Sequence, residues 1–145
     1  MVTDCVFCRI AAGREPAEVI CRDELVMVLT DICPIRPGHL LIIPHTHHPY
    51  FDDLPPTTAS RIIHPAQRLA KAMKPLFGVP RVAFVFTGAD HPHAHAHVVP
   101  THDRTDVTSR RYIAEDKLTF RPAPRATAEE LAGTASMIRS ALGDA

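Results

Sequence analysis

The stretch His91-Pro92-His93-Ala94-His95-Ala96-His97-Val98-Val99-Pro100 decides how the rest of the chain is read. Pro92 biases His91 towards extended backbone, and Val98-Val99 favour a strand over a helix. Side chains alternate across a strand. The spacing therefore predicts His93, His95 and His97 on one face of a strand, about 6.5–7 Å apart by strand rise. Ala94, Ala96 and Val98 fall on the other face, and the small alanines point to tight packing behind it. Neutral imidazole is a nucleophile or a metal ligand; protonated, it binds phosphate oxygens and donates a proton. Three in a row can divide those roles. The residue types alone also allow a promiscuous metal-binding tract or an incidental polar strand face.

Working outward, Val82 to Phe86 reads as the preceding strand and Ala94 to Val99 as the fifth. His39-Leu40-Leu41-Ile42-Ile43, closed by Pro44, is an unbroken apolar run that predicts a strand buried on both faces. Ala17 to Cys21 and Leu25 to Thr30, separated by Arg22-Asp23-Glu24, read as a hairpin. The Pro/Gly-rich segment 31–38 is a loop. Thr57 or Thr58 is expected to cap a helix with Ile62, Ala66, Leu69 and Met73 at helical spacing. Pro65 lies inside that helix and should kink it or interrupt a hydrogen bond. Thr127-Ala128-Glu129-Glu130 has the pattern of a capping box and opens a last helix with Leu131, Ala135, Ile138 and Leu142 on one face. Residues 101–125 are polar and Pro/Arg-rich and read as extended. Strands in succession with two principal helices predict an α+β fold with a mainly antiparallel, five-stranded sheet. One domain is expected over 1–145: a core over 1–100, the extended segment, and a C-terminal helix over 126–143.

The 145 residues carry 16 basic and 16 acidic side chains, with 46% apolar and 22% charged residues. This is ordinary globular composition. Zero net charge supports neither nucleic acid nor an anionic membrane as partner. No stretch approaches the roughly 18 consecutive apolar residues of a membrane span. Met1-Val2-Thr3-Asp4-Cys5 has no basic region followed by an apolar run, so no export signal is read and the expected location is the cytoplasm. The four cysteines sit at 5, 8, 21 and 33. Cys5-Val6-Phe7-Cys8 is either a metal half-site or a redox pair. A redox pair would follow a strand, for which four preceding residues leave no room. Metal is the better reading, provided histidines elsewhere complete the site. Cys21 and Cys33 stand alone and read as small core residues.

Taken together, these segments resemble the histidine triad (HIT) proteins. Their hallmark is His-φ-His-φ-His-φ-φ, with φ apolar, and His93-Ala-His95-Ala-His97-Val-Val fits it fully. Cys5-Val-Phe-Cys8-Arg-Ile10-Ala-Ala-Gly13 is similar to the family's opening Cys-x-Phe-Cys-x-Ile-x-x-Gly. Asp31-Ile-Cys-Pro34-Ile-Arg-Pro37-Gly38-His39-Leu-Leu-Ile-Ile-Pro44 resembles its Asp-x-x-Pro-x-x-Pro-Gly-His segment and the strand after it. His47 falls where many members have the histidine of Pro-x-x-His.

The resemblance implies a HIT-like fold, a homodimer, and a nucleotidyl hydrolase or transferase acting on a purine nucleotide. His95 would attack the α-phosphorus and form a covalent nucleotidyl-histidine. His97 would contact the phosphate and help handle protons, and His93 would stand beside the nucleophile. His39 would fix the start of its strand or orient His95. Asp31 would accept hydrogen bonds from ribose hydroxyls, and Val6, Phe7, Ile10, Leu29 and Ile32 would line the slot for the base. By residue type alone those five read as ordinary core and Asp31 as a turn residue. Members with the Cys-x-x-Cys resemble one another in binding zinc. The matched ligands are Cys5, Cys8, His47 and His93, a closed set that makes the Zn2+ structural. His45, His48 and His91 are then bystanders, with His45 or His48 as ligand if the loop register differs. Many members have Gly-Gln-Ser/Thr where this chain has Gly88-Ala89-Asp90, which places Asp90 near the phosphate. The implied activity is hydrolysis of a purine nucleoside phosphoramidate or related adenylyl conjugate. One alternative is a dinucleoside polyphosphate hydrolase, with Arg110-Arg111 on the longer phosphate chain. The other is a nucleotide-binding, zinc-stabilised module with little activity.

Overall fold

Leu40–Pro44 becomes the middle strand, β3, of an antiparallel sheet, and all five of its residues are buried. The computed structural model describes residues 5–88, 91–107 and 123–143. Before β3 come a short helix α1 (Val6–Ala11), β1 (Val19–Arg22) and β2 (Val26–Thr30). After it come a 3-10 turn (Phe51–Asp53), α2 (Pro56–Phe77), β4 (Arg81–Phe86), β5 (Ala96–Thr101) and α3 (Ala128–Leu142). The strands lie in the order β1-β2-β3-β5-β4. This is the expected α+β fold with a five-stranded antiparallel sheet and two principal helices.

Strand alternation divides the apolar residues between two layers. Val26 and Val28 of β2, Leu40 and Ile42 of β3, and Ala96 and Val98 of β5 pack with Ile62, Ala66, Leu69 and Met73 of α2 and Ala135 and Ile138 of α3. Met27 and Leu29, with Leu41 and Ile43, form a second cluster with Phe7, edged by Cys5, Val6 and Ile10. The central strands are therefore apolar on both faces because both faces are covered. Register completes the placement: Leu41 pairs with His97, and His97 in turn with Val85. His97 thus lies on the α1 side of the sheet, away from the long helices.

Three local expectations change. First, α2 is not capped by Thr57 or Thr58; it starts at Pro56 after Pro55, with no side-chain cap. Proline suits the first helical position because its fixed φ is already helical and its missing N–H had no partner there. Helical structure then runs through Pro65 and Pro75 to Phe77, so Pro65 removes a donor without ending the helix. Second, α1 is a helix that the sequence reading left out, and Cys5 is its N-cap residue. Third, Cys21 and Cys33 are exposed rather than in the core. The capping box at Thr127 and Glu130 forms, with Glu130 N–H donating to Thr127 Oγ1 at 3.2 Å.

Gly38 fixes how the loop before β3 meets α2. Its φ is +94°, and a Cβ there would lie 2.5 Å from the Phe77 ring. Only glycine accepts both the left-handed backbone and that approach. His39 follows directly and is 3% exposed.

Candidate active site and metal centre

Cys5, the N-cap residue of α1, and Cys8, in its first turn, face the segment that leads into β5. Cys5 Sγ lies 3.3 Å from His93 Nδ1, and Cys8 Sγ lies 3.4 Å from His47 Nδ1 and 3.5 Å from His93 Nδ1. Tetrahedral zinc, with bonds of about 2.3 Å to sulfur and 2.0–2.1 Å to nitrogen, separates its sulfur and nitrogen ligands by about 3.5 Å. The four ligand atoms lie within 4.8 Å of one another, so the set could hold a metal ion. His93 Nε2 donates to the Pro44 carbonyl at 3.0 Å. This leaves the lone pair on Nδ1, facing the sulfurs, as a metal-bound imidazole requires. Burial above all, against the pull of the Pro44 carbonyl, holds the His93 pKa down at about 4. Burial and then the neighbouring Cys5 raise the Cys8 thiol above its ordinary value. Two thiolates side by side need a cation, so the chemistry of the donor set fits Zn2+.

The segment 91–95 is not yet strand. His93 N–H turns back to the His91 carbonyl at 2.8 Å, and Ala94 N–H donates to the His48 carbonyl at 2.6 Å. Only His97 of the triad stands inside β5, which begins at Ala96 rather than Ala94. The three rings still line one side of the molecule. Phe7 packs against His93 and His95, with ring centres 5.5 and 5.2 Å away, and His95 and His97 are 5.0 Å apart. That is closer than strand rise alone gives, because the rings lean together.

Hydrogen bonds assign the proton on each remaining ring. His95 Nδ1 donates to the His93 carbonyl at 2.7 Å, which leaves its lone pair on Nε2. Ile35 N–H donates to His39 Nδ1 at 3.1 Å, so the proton of neutral His39 sits on Nε2. That proton goes to His97 Nδ1 at 2.9 Å. His97 therefore carries its own proton on Nε2, 3.3 Å from Thr87 Oγ1. Burial lowers the His39 pKa, with the Asp31 carboxylate pulling against it. Asp31 Oδ2 stands 3.5 Å from His39 Nε2 and 4.0 Å from His97 Nδ1, while Oδ1 accepts from Cys33 N–H at 2.8 Å. Asp31, His39 and His97 also have the spacing of a metal cluster. A ring bound to metal through Nε2 would carry its proton on Nδ1, where the Ile35 amide already points. The geometry therefore favours a hydrogen-bonded chain there. Chemically, one lone pair on His95 stands beside one N–H donor on His97.

Comparison with known proteins fits this arrangement. The HIT domain profile matches residues 12–104. The chain belongs to the HIT domain family. A zinc-bound histidine triad family protein from Mycobacterium smegmatis superposes with a TM-score of 0.74 at 30% identity, over 98% of this chain and 95% of that one. Adenylylsulfatase HINT3 of Arabidopsis thaliana is 29% identical over 106 residues, which are 70% of this chain and 54% of that protein. Adenosine 5'-monophosphoramidase HNT1 of Saccharomyces cerevisiae is 31% identical over 100 residues, 68% of this chain and 63% of that protein.

Set against this HIT geometry, the other expected site residues fall into three groups. Phe7 and Leu29 are buried in the α1-side cluster, with Val6 and Ile10 half-buried at its edge. Ile32 is apart from them, 46% exposed on the loop. Asp90 and Arg110-Arg111 lie outside the described residues. The His39 ring meets His97 and not His95: it lies 5.2 Å from the His97 ring, tilted by 46°, and bonds to it. His45 Nε2 donates to the Asp23 carbonyl at 2.8 Å, so it secures the β1–β2 turn. His91 is exposed, with its ring 5.8 Å from Phe7. Two groups were missed in the sequence. The Ile35 amide carries no side-chain signal. Thr87 lies two residues beyond Val85, the partner of His97, a register that the sequence does not specify.

Proposed function

We propose that this chain is a nucleotidyl hydrolase or transferase that passes through a covalent nucleotide on His95. The observation that carries the reading is the bond from His95 Nδ1 to the His93 carbonyl. It leaves the Nε2 lone pair unprotonated and able to act as nucleophile without a separate base. In the first step His95 Nε2 forms a bond to the α-phosphorus, and the bond from phosphorus to the leaving group breaks. The leaving group departs with a proton drawn from solvent water, and the water that attacks in the second step returns one proton to solvent. Water then cleaves the phosphorus–nitrogen bond, releases the nucleoside monophosphate and restores His95. His97 donates its Nε2–H to a phosphate oxygen as negative charge builds. With His39 donating to its Nδ1, His97 presents its Nε2–H to the phosphate.

Asp31 is proposed to accept from the ribose hydroxyls, with Val6, Phe7 and Ile10 beside the base and Ile32 at the rim. The proposed substrate is a purine nucleoside phosphoramidate or another adenylyl conjugate. The names of the Arabidopsis and yeast relatives, an adenylylsulfatase and an adenosine monophosphoramidase, support that class. Zn2+ bound by Cys5, Cys8, His47 and His93 would supply structure, tying α1 to the nucleophile's segment. The homodimer belongs to the same proposal; β4 lies at one end of the sheet with Phe84 41% exposed. The deciding experiment is incubation with an adenosine phosphoramidate labelled at phosphorus, followed by rapid quenching. Acid-labile label on His95, absent from His95→Ala, is expected. Turnover with no labelled protein at any quench time would sink the covalent route, and tight nucleotide binding without turnover would make the chain a binding module.

A further inference from the structure

Asp31 and His39 stand at the two ends of one loop. Inside it, Asp31 N–H donates to the His39 carbonyl and His39 N–H to the Arg36 carbonyl, each at 3.0 Å. With the Cys33 and Ile35 amides already described, these bonds fix the loop's shape. Gly38 against Phe77 and the His39–His97 bond seat its end at β3, which leaves the middle of the loop to be held. That middle is held by residues far along the chain. Arg36 Nε and Nη2 both donate to Oδ1 of Asp106, at 2.9 and 2.7 Å. The second oxygen of Asp106, Oδ2, accepts the amides of His102 and Asp103, each at 2.9 Å. Ala126 N–H donates to the Ile32 carbonyl at 2.8 Å. The chain after β5 therefore grips the loop at 32 and 36, on both sides of Ile35, whose amide fixes the tautomer of His39.

An ordinary surface ion pair contributes little because both partners are hydrated and mobile. This one differs on the acidic side. The Asp106 side chain is 6% exposed and receives four donors. Burial pushes its carboxyl up, but Arg36 and the two amides outweigh that and hold it below the usual carboxylate range. The carboxylate is thus held by its own turn through Oδ2 as well as by Arg36 through Oδ1, with charge-assisted bonds on both oxygens.

We propose that Arg36 and Asp106 form a clasp that positions the Asp31–His39 loop, making both of them positioning residues for ribonucleotide binding. The inference rests on the reading of Asp31 as the ribose acceptor. The test uses the full chain. In Asp106→Asn the side-chain oxygen still accepts the His102 and Asp103 amides while its NH2 faces Arg36, so the turn stays and the clasp opens. Arg36→Ala opens it from the other side, and Arg36→Lys keeps the charge while losing the paired donors. Calorimetric titration with 5'-AMP and 2',3'-dideoxy-AMP measures binding, and NMR hydrogen exchange reports the amides of Cys33, Ile35 and His39. Each opened variant should weaken AMP binding about tenfold, which is ~1.4 kcal/mol, and weaken the dideoxy analogue less than about twofold. The double variant should be no worse than either single one, because the two residues act through one contact. Exchange at Cys33 and Ile35 should accelerate at least about tenfold, and Arg36→Lys should fall between. Unchanged exchange and AMP affinity overturn the clasp. Equal losses for both nucleotides overturn it too, since that pattern marks general destabilisation. Asp31→Ala is the control: if it leaves AMP binding unchanged, the ribose reading fails, and the exchange rates alone then decide the clasp.

Discussion

Three histidines of one type are set apart by what holds the other ring nitrogen. His93 gives Nε2–H to Pro44, His95 gives Nδ1–H to the backbone of His93, and His97 receives at Nδ1 from His39. The result is one ring suited to metal, one with a nucleophilic lone pair, and one with an outward N–H. Sequence periodicity cannot draw this distinction, because a tautomer depends on partners brought in from other segments. His95→Ala and His95→Asn should abolish turnover in a phosphoramidate assay while nucleotide affinity stays within a small factor. More than a few per cent residual rate in either would remove the nucleophile assignment. For Asp31, the net loss of one charge-assisted hydrogen bond to ribose, worth roughly 1.5–3 kcal/mol, sets the expected scale. Asp31→Ala should lower ribonucleotide affinity by about one to two orders of magnitude. A 2',3'-dideoxy nucleotide should lose much less, and parallel losses for both would rule out the ribose contact.

At the scale of elements, chain order explains the strands better than the site. The runs at 26–30 and 40–44 are buried on both faces, as their unbroken apolar sequence requires. The helix α1 was not legible, since six residues with no strong capping pattern give little periodicity. The start of β5 was also misplaced by two residues. Ala94 could pair within a strand by type, but its amide goes to the His48 loop. Gly38 shows how an element boundary can depend on a distant helix. Gly38→Ala brings a methyl within 2.5 Å of the Phe77 ring at a φ of +94°. Overpacking and the left-handed backbone together should cost about 1–3 kcal/mol, or about 2–8 °C in melting temperature. A calorimetric scan that matches the unaltered protein would show that Phe77 yields freely.

Across the molecule, the site draws on α1, the 31–39 loop, the 45–48 loop and the approach to β5, which only the sheet brings together. A metal at Cys5, Cys8, His47 and His93 would join three of these segments. Binding to such a site is folding free energy. One zinc per chain is therefore expected by elemental analysis after dialysis. Cys8→Ser should lose most of it and melt earlier, and a chelator should lower stability before it slows chemistry, because the proposed nucleophile is not a ligand. Protein that folds without zinc, has both thiols freely titratable and gains no stability on adding the ion would exclude the centre.

Some of this was fixed by the chain itself. Alternation and unbroken apolar runs specify the sheet, because burial of those side chains leaves few other pairings. The residue types pointed to a metal half-site at Cys5 and Cys8, and the family resemblance implied His47 and His93 as its other ligands. What only the tertiary structure decided is the division of labour. His47 rather than His45 meets Cys8, since His45 is held by the Asp23 carbonyl. His39 acts on His97, and Arg36 finds a partner 70 residues away in Asp106. Each depends on a hydrogen bond between segments remote in sequence. Local propensity and periodicity carry no term for such a bond until the sheet has closed.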